Sequence, residues 1–245
     1  MSSAMPVLLP DWPAPDRVAA LVTTRAGGVS QGAYASLNLA THVGDDAAAV
    51  VENRHRLGEQ LPAEPAWLNQ VHGCGVLRAE EAGRAGEADA VYTRRANTVC
   101  AVLTADCLPV LLCDDGGSVV AAAHAGWRGL AGGVVEAAVG AMNVTPARLL
   151  AWLGPAIGPL AFEVGSEVRA AFLAHDAVAT AAFTAGQNGK WLADLYALAR
   201  LRLAKLGVTR VFGGGECTYS DVQRWYSYRR DGATGRMATL IWLRG

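Results

Sequence analysis

An excess of charge of one sign is missing from this chain. Its 245 residues carry 21 Lys and Arg against 22 Asp and Glu, a formal net charge of −1. With no basic surplus to neutralise a run of phosphates, the composition argues against a dedicated nucleic-acid binder. Long apolar runs are missing as well. No stretch of about 18 residues escapes charges or Gly and Pro breaks, which argues against a membrane span. Met1 to Asp11 lacks a cationic region, and its apolar stretch is too short for a secretory signal. The five cysteines, Cys74, Cys100, Cys107, Cys113 and Cys217, are odd in number, irregularly spaced and without a CxxC pair. Such usage fits a reducing, cytoplasmic setting in which most thiols are small buried apolar groups. Among the five histidines there is neither an HExxH zinc signature nor a His-x-His pair.

Apolar material is plentiful. Hydrophobic residues make up 52% and charged residues 18%, enough for a sizeable core and too much for a disordered chain. No linker, low-complexity block or internal repeat divides the chain. It reads as one domain over residues 1–245, with a core from about 18 to 243.

The order of elements points to an α/β fold. Val18–Thr24 is apolar and β-branched and reads as a strand, followed by a tight loop at Arg25–Ser30. Asp45 and Asp46 can cap a helix running to about Gln60. Short strand-like runs follow at Ala66–Leu68, Val76–Ala79 and Ala88–Tyr92. Thr98–Thr104, Leu108–Cys113 and Ser118–Ala123 are nearly continuous apolar runs of strand length, as expected of strands covered on both faces. The turn at Asp114–Gly117 predicts that the last two form an antiparallel hairpin. Leu130–Met142 (punctuated by glycines), Ser166–His175 and Trp191–Leu206 read as helices. Arg148–Leu153, Val208–Phe212 and Arg236–Leu243 read as strands. Interleaved without strict βαβ alternation, these elements predict a single-domain layered sandwich of mixed β-sheets with flanking helices.

Three side chains stand out by position. His72 lies in a polar stretch after an apolar run, and His124 ends the run Ser118–Ala123 just before a Gly-rich turn. Cys107 falls in the break between two buried runs, followed by Pro109, which cannot donate to a central ladder. His55, between two arginines, and His175, at a helix end, are expected on the surface. A thiolate and two imidazoles form a suitable ligand set for Zn²⁺, with a fourth position left for water. The same residues also suit a Cys–His hydrolase with Cys107 as nucleophile and Asp106 orienting the histidine. A buried Cys with two hydrogen-bonded His, or a noncatalytic metal-binding module, is the bland alternative. Five histidines do not build a laccase-type copper cluster in one chain, although a single Cu²⁺ at an N/S site is plausible from the affinity order.

The chain resembles the YfiH family, also called PgeF (peptidoglycan editing factor) and the laccase-domain or multicopper polyphenol oxidase family. The resemblance rests on Thr24-Arg25-x-Gly27-Gly28-Val29-Ser30, on Leu37-Asn38-Leu39 with His42-Val43-Gly44-Asp45-Asp46, and on Asn69-Gln70-Val71-His72-Gly73. It continues through Thr104–Val110, His124-Ala125-Gly126-Trp127-Arg128-Gly129, Gly154–Pro159 and Phe162–Gly165. It closes with Cys217–Asp221, Ser227–Gly232 and Thr234–Ala238. Many members carry cysteine where this chain has Leu160 or Ala161, which weakens any redox role for that loop.

The resemblance implies an α/β sandwich with zinc held by His72, Cys107 and His124, residues that are then also catalytic. It implies purine nucleosides and phosphate as substrates: phosphorolysis of adenosine, inosine, guanosine and methylthioadenosine, and deamination of adenosine. Editing of peptidoglycan precursors is a separate role attributed to bacterial members. A zinc ion at such a site would lower the pKa of a water to near neutrality, suited to attack on C6 of adenine. Phosphorolysis also needs an anion site. Arg25 beside its glycines, Arg128 at a helix start, and Arg229 with Arg230 are the candidates. Asn38 can bond the ribose or cap a turn, and Trp127 can stack on a purine or fill core. Monomer and homodimer are both compatible with the sequence.

Overall fold

The computed structural model describes residues 5–82 and 87–245. Among them the strands are β1 (Val7–Leu8), β2 (Val18–Thr23), β3 (Val76–Arg78), β4 (Ala90–Thr93), β5 (Val99–Thr104), β6 (Leu108–Asp114) and β7 (Val120–Ala125). They continue with β8 (Leu149–Leu153), β9 (Glu163–Val164), β10 (Phe183–Ala185), β11 (Trp191–Ala193), β12 (Arg210–Gly213) and β13 (Met237–Leu243). The helices are α1 (Ala47–Gly58), α2 (Trp127–Gly132), α3 (Val134–Met142), α4 (Ser166–Leu173), α5 (Leu195–Leu206) and α6 (Tyr228–Asp231).

Side-chain alternation along the central strands decides how these elements stack. One sheet has the order β1-β2-β13-β5, and a six-stranded sheet has the order β12-β8-β6-β7-β4-β3. In β6, Leu108, Val110 and Leu112 face one core, while Leu111 and Cys113 face another. The first core lies between the six-stranded sheet and the helices, with Leu130, Val135, Met142, Phe172 and Leu203 contributing from α2 to α5. The second fills the space between the two sheets: Leu111, Val120 and Trp152 meet Val22, Val102 and Ile241. A third core covers the outer face of the smaller sheet, where Leu21, Val99, Ala101 and Leu240 pack with Leu37, Leu39 and Leu57. The result is a mixed α/β sandwich, as expected, with both sheets buried on both faces. A small sheet of order β10-β11-β9 flanks it.

The three central runs form strands as expected, and β6 and β7 pair as the antiparallel hairpin. Asp114 shapes its turn by accepting the backbone N–H groups of Ser118 (2.6 Å) and Val119 (2.9 Å) and the Ser118 hydroxyl (2.9 Å). Asp46 caps α1, accepting from the N–H of Ala48 at 2.7 Å.

Four expectations change. Ala66–Leu68 is not a strand and makes only an isolated bridge from Ala66 to Cys100. The run Leu130–Met142 is two helices broken at Gly133, whose φ of 104° only glycine adopts readily. The run Trp191–Leu206 opens as strand β11, paired to β9 and β10, and becomes helical only after Asp194, which caps α5 by accepting from the Ala197 N–H at 3.0 Å. Pro109 sits inside β6 rather than in the break before it; pairing with β8 begins only at Val110, so the missing N–H costs that ladder nothing. No helix of the described residues is long and apolar enough to cross a membrane.

Candidate metal centre and cleft

Two strand ends and one loop bring the three donors together. His124 lies in β7 opposite Pro109 and is buried. Cys107 precedes β6, just after Asp106, whose backbone is left-handed (φ 85°). His72 is an exposed residue of the loop before β3, also left-handed (φ 60°). The ligand atoms of His72, Cys107 and His124 all lie within 4.8 Å of one another. A tetrahedral zinc site spaces such atoms about 3.3–3.6 Å apart, from Zn–N near 2.0 Å and Zn–S near 2.3 Å. The donor set therefore suits a transition-metal ion such as zinc, on which the three donors would close.

Glycine packing supports that fit. A Cβ on Gly126 would stand 2.9 Å from Cys107 Sγ and 3.0 Å from His72 Nδ1. A Cβ on Gly129 would meet the Gly73 carbonyl at 2.9 Å, so α2 approaches the His72 loop backbone to backbone. Gly126 thus leaves room beside the donors, and Gly129 lets the helix close on their loop.

Electrostatics favour a thiolate. Burial alone would push the Cys107 thiol up, but the imidazoles of His124 and His72 outweigh it and bring it well below its ordinary value. Burial would lower His124, yet the Cys107 sulfur and the Asp89 carboxylate raise it. Asp89 is fully buried. Burial would raise its carboxyl, but the bond to His124 and the loop N–H groups hold it below the ordinary carboxylate value. It bonds His124 Nδ1 at 2.7 Å and accepts the backbone N–H groups of Val71 (3.2 Å), His72 (2.9 Å) and Gly73 (2.6 Å).

The three donors open onto a cleft of about 510 Å³, within the range of small-molecule sites. Trp127, Phe162 and Tyr228 supply aromatic walls, and Arg128, Arg229 and Arg236 supply cations. Asp106, a carboxylate on the lining, is already engaged by the Thr218 hydroxyl (2.6 Å), the Ser227 hydroxyl (3.0 Å) and the Arg229 N–H (2.7 Å). It therefore anchors the Cys107 turn to the α6 segment instead of orienting a histidine.

The structure sorts the remaining candidates. Arg128 and Arg229 line the cleft, with guanidinium carbons 4.5 Å over Trp127 and 5.4 Å over Phe162. Trp127 is half-buried on the same wall. Arg25 does not line it. Its guanidinium donates to the carbonyls of Ala35 (3.1 Å) and Val222 (3.0 Å) and stacks over Tyr226. The N–H groups of Gly28, Val29 and Ser30 are likewise bound internally, to Ser36 Oγ, Asn53 Oδ1 and the Ser36 carbonyl, so that loop offers no free anion cradle. Asn38 is fully buried, bonded to Ala40, Asp45 and the Arg236 N–H, and so braces the fold beneath Arg236. Arg230 donates to the carbonyls of Thr218, Tyr219 and Trp225, a structural staple. His55 and His175 are exposed.

Asp89, His42 and Arg236 are the residues sequence reasoning passed over. Asp89 was visible as a lone carboxylate inside the apolar run Ala88–Tyr92. His42 lines the cleft, and partial burial together with Arg236 and Arg54 lowers its pKa below the ordinary imidazole value.

Fold and site together place the chain within a known class. The family described as multi-copper polyphenol oxidoreductase laccase matches residues 19–244, and the chain belongs to it. A Pseudomonas aeruginosa protein named purine nucleoside phosphorylase is 58% identical over 237 residues, covering 96% of this chain and 98% of that one. Escherichia coli purine nucleoside phosphorylase YfiH is 56% identical over 241 residues, covering 97% and 98%. Among solved structures, a Neisseria meningitidis protein superposes with a TM-score of 0.95 at 55% identity, covering 98% of this chain and 99% of that one. Bacillus licheniformis YfiH superposes with a TM-score of 0.90 at 29% identity, covering 100% and 98%.

Proposed function

We propose that the protein is a zinc-dependent purine nucleoside phosphorylase that also deaminates adenosine. The observation that carries this reading is the meeting, in one cleft, of a His-Cys-His donor set with arginines and aromatic walls. The names of the relatives point the same way. Adenosine, inosine, guanosine and methylthioadenosine share the purine and ribose that such a cleft must hold. In phosphorolysis the bond from C1′ to purine N9 breaks, a phosphate oxygen bonds C1′, and the purine leaves with a proton. Arg128, Arg229 and Arg236 hold the phosphate dianion, three cations against the single carboxylate of Asp106 on the lining, whose oxygens are turned to Thr218, Ser227 and the Arg229 N–H. Trp127, Phe162 and Tyr228 pack against the base. His72, Cys107 and His124 hold the zinc ion, which supplies Lewis acidity when bound. Copper could occupy the same N/S donors. Only His72 and His124 of the five histidines belong to the donor cluster, which weighs against polyphenol oxidation at a copper cluster.

Adenosine incubated with phosphate should yield adenine and ribose 1-phosphate, and purified protein should hold about one zinc per chain, lost in Cys107→Ala. Inosine formed without any need for phosphate would leave deamination alone standing. Bound zinc without turnover of any nucleoside would reduce the protein to a metal-binding module. A second reading is favoured by the chain of contacts from Cys107 through His124 to Asp89, the arrangement of a thiol hydrolase. Activity that resists chelators and is blocked by thiol alkylation would select it.

A further inference from the structure

We propose that Asp89 is a positioning residue of the metal centre: one carboxylate turns His124 so that Nε2 faces the shared donor space and pins the His72 backbone beside it. The proposal rests on the zinc reading above and adds what makes that site rigid. Each oxygen of Asp89 takes two partners. Oδ1 meets the His72 N–H at 2.9 Å and His124 Nδ1 at 2.7 Å; Oδ2 meets the N–H groups of Val71 and Gly73 at 3.2 and 2.6 Å. The β4–β7 ladder, with Ala90 opposite Ala123, brings Asp89 level with His124, and the His124 N–H also donates to the Asp89 carbonyl at 2.7 Å. Both the ring and the main chain of His124 are therefore held by one residue. With Nδ1 committed to Asp89, only Nε2 is left to bind a metal.

The second histidine depends on the same group. His72 stands on an exposed loop in a left-handed conformation, which costs of order 1–3 kcal/mol for a residue with a side chain. Three successive N–H groups, from Val71 to Gly73, converge on the carboxylate and stabilise that turn. Every partner of Asp89 is a donor when His124 carries its proton on Nδ1. An acceptor-only side chain is needed, and Asn would place an NH₂ group against N–H donors. A longer Glu has no room, because the Asp89 side chain is fully buried.

The test is zinc affinity by chelator competition on the full chain, comparing wild type, Asp89→Asn and Asp114→Asn. Asp114 is an equally apt control. It too is buried and accepts backbone N–H groups, but it lies at the opposite end of β6 from Cys107. Asp89→Asn should bind zinc about 10–100-fold more weakly. Asp114→Asn should lose stability yet keep zinc affinity within about twofold of wild type. A folded Asp89→Asn protein with wild-type affinity would overturn the proposal. Should that variant not fold, nitrogen NMR of the zinc-loaded wild type decides. His124 protonated on Nδ1 and bound through Nε2 supports the proposal, and the reverse overturns it. Wild type that binds no zinc would overturn the metal centre itself, an outcome separate from tight binding by both wild type and Asp89→Asn.

Discussion

Replacing Gly126 by alanine adds one methyl group at the back of the donor cluster. The backbone there (φ −59°, ψ 160°) is ordinary for alanine, so no conformational strain enters. The new Cβ would sit 2.9 Å from Cys107 Sγ and 3.0 Å from His72 Nδ1, where ordinary contacts begin at 3.4 Å. Two of the three donors must therefore retreat by about 0.5 Å, the tolerance within which a preorganised site still works. Crowding of this kind costs about 1–3 kcal/mol, partly offset by about 0.4–1 kcal/mol from a less flexible unfolded chain. The metal-free Gly126→Ala protein should accordingly melt a few degrees lower, at roughly 2–4 °C per kcal/mol for a chain of this size. The specific effect is on zinc. A loss of about tenfold in affinity removes about 1.4 kcal/mol of metal-linked stability at a given free zinc level. Melting curves with and without zinc measure both quantities at once. A zinc-induced rise in Tm equal to that of wild type would show that the donors do not converge around Gly126, and the reasoning would fail.

Other expectations follow from the same structure. In the metal-free protein at pH 7, iodoacetamide should modify Cys107 well before Cys113, whose thiol burial pushes up to about 12, and zinc should protect Cys107; peptide mass mapping reads the order, and equal rates would refute it. The Asp114 carboxyl lies below its ordinary value: burial would raise it, but the N–H groups of Val119 and Ser118 and the Ser118 hydroxyl outweigh that. Because the folded pKa is depressed, its contribution is complete above the unfolded value of about 3.9 and disappears as pH falls through the folded one. Urea midpoints of Asp114→Asn should thus converge on wild type in acid and fall short of it near pH 7; a constant gap would contradict this. Arg229→Ala should raise the KM for phosphate, whereas Arg25→Ala should lower Tm and leave that KM unchanged, since Arg25 lies off the cleft and donates to the carbonyls of Ala35 and Val222. Leu111→Ala, at a fully buried site between the sheets, should cost about 2–5 kcal/mol in denaturant titration.

The core was legible where one physical signal dominated. Val99–Thr104 and Leu108–Asp114 are buried at every position and, apart from the terminal Thr104 and Asp114, apolar, because both faces of each strand are covered, and continuous runs report that directly. The glycines inside Leu130–Met142 are visible in the sequence, but not that Gly133 splits the run in two, since the apolar spacing of α2 carries on into α3 and the left-handed backbone at Gly133 makes the break. Trp191–Ala193 looks helical in sequence because Leu192 fits the α5 face; pairing with β9 and β10 outweighs that local pattern. At the site, the positions of His72, Cys107 and His124 at breaks beside buried runs were readable, since chemistry gathers at strand ends. Arg25 was misleading because guanidinium groups serve phosphates and backbone carbonyls equally well, and sequence does not show which is near. Asp89 escaped notice because its importance lies in partners 16 to 35 positions away.

The placement of β13 between β2 and β5 has a consequence for how the protein is made. The middle seat of that sheet is filled by a strand more than a hundred residues downstream of both neighbours, with Leu240 pairing to Leu21 on one side and Ala101 on the other. A nascent chain leaving the ribosome therefore exposes the edges of β2 and β5 until residue 243 has emerged. During that interval the half-built sheet presents unpaired backbone and apolar surface, the features that recruit chaperones or self-association. Translation slowed before β13 should prolong this vulnerable stage, and a protease-resistant fold should appear abruptly once β13 has emerged rather than growing in step with chain length.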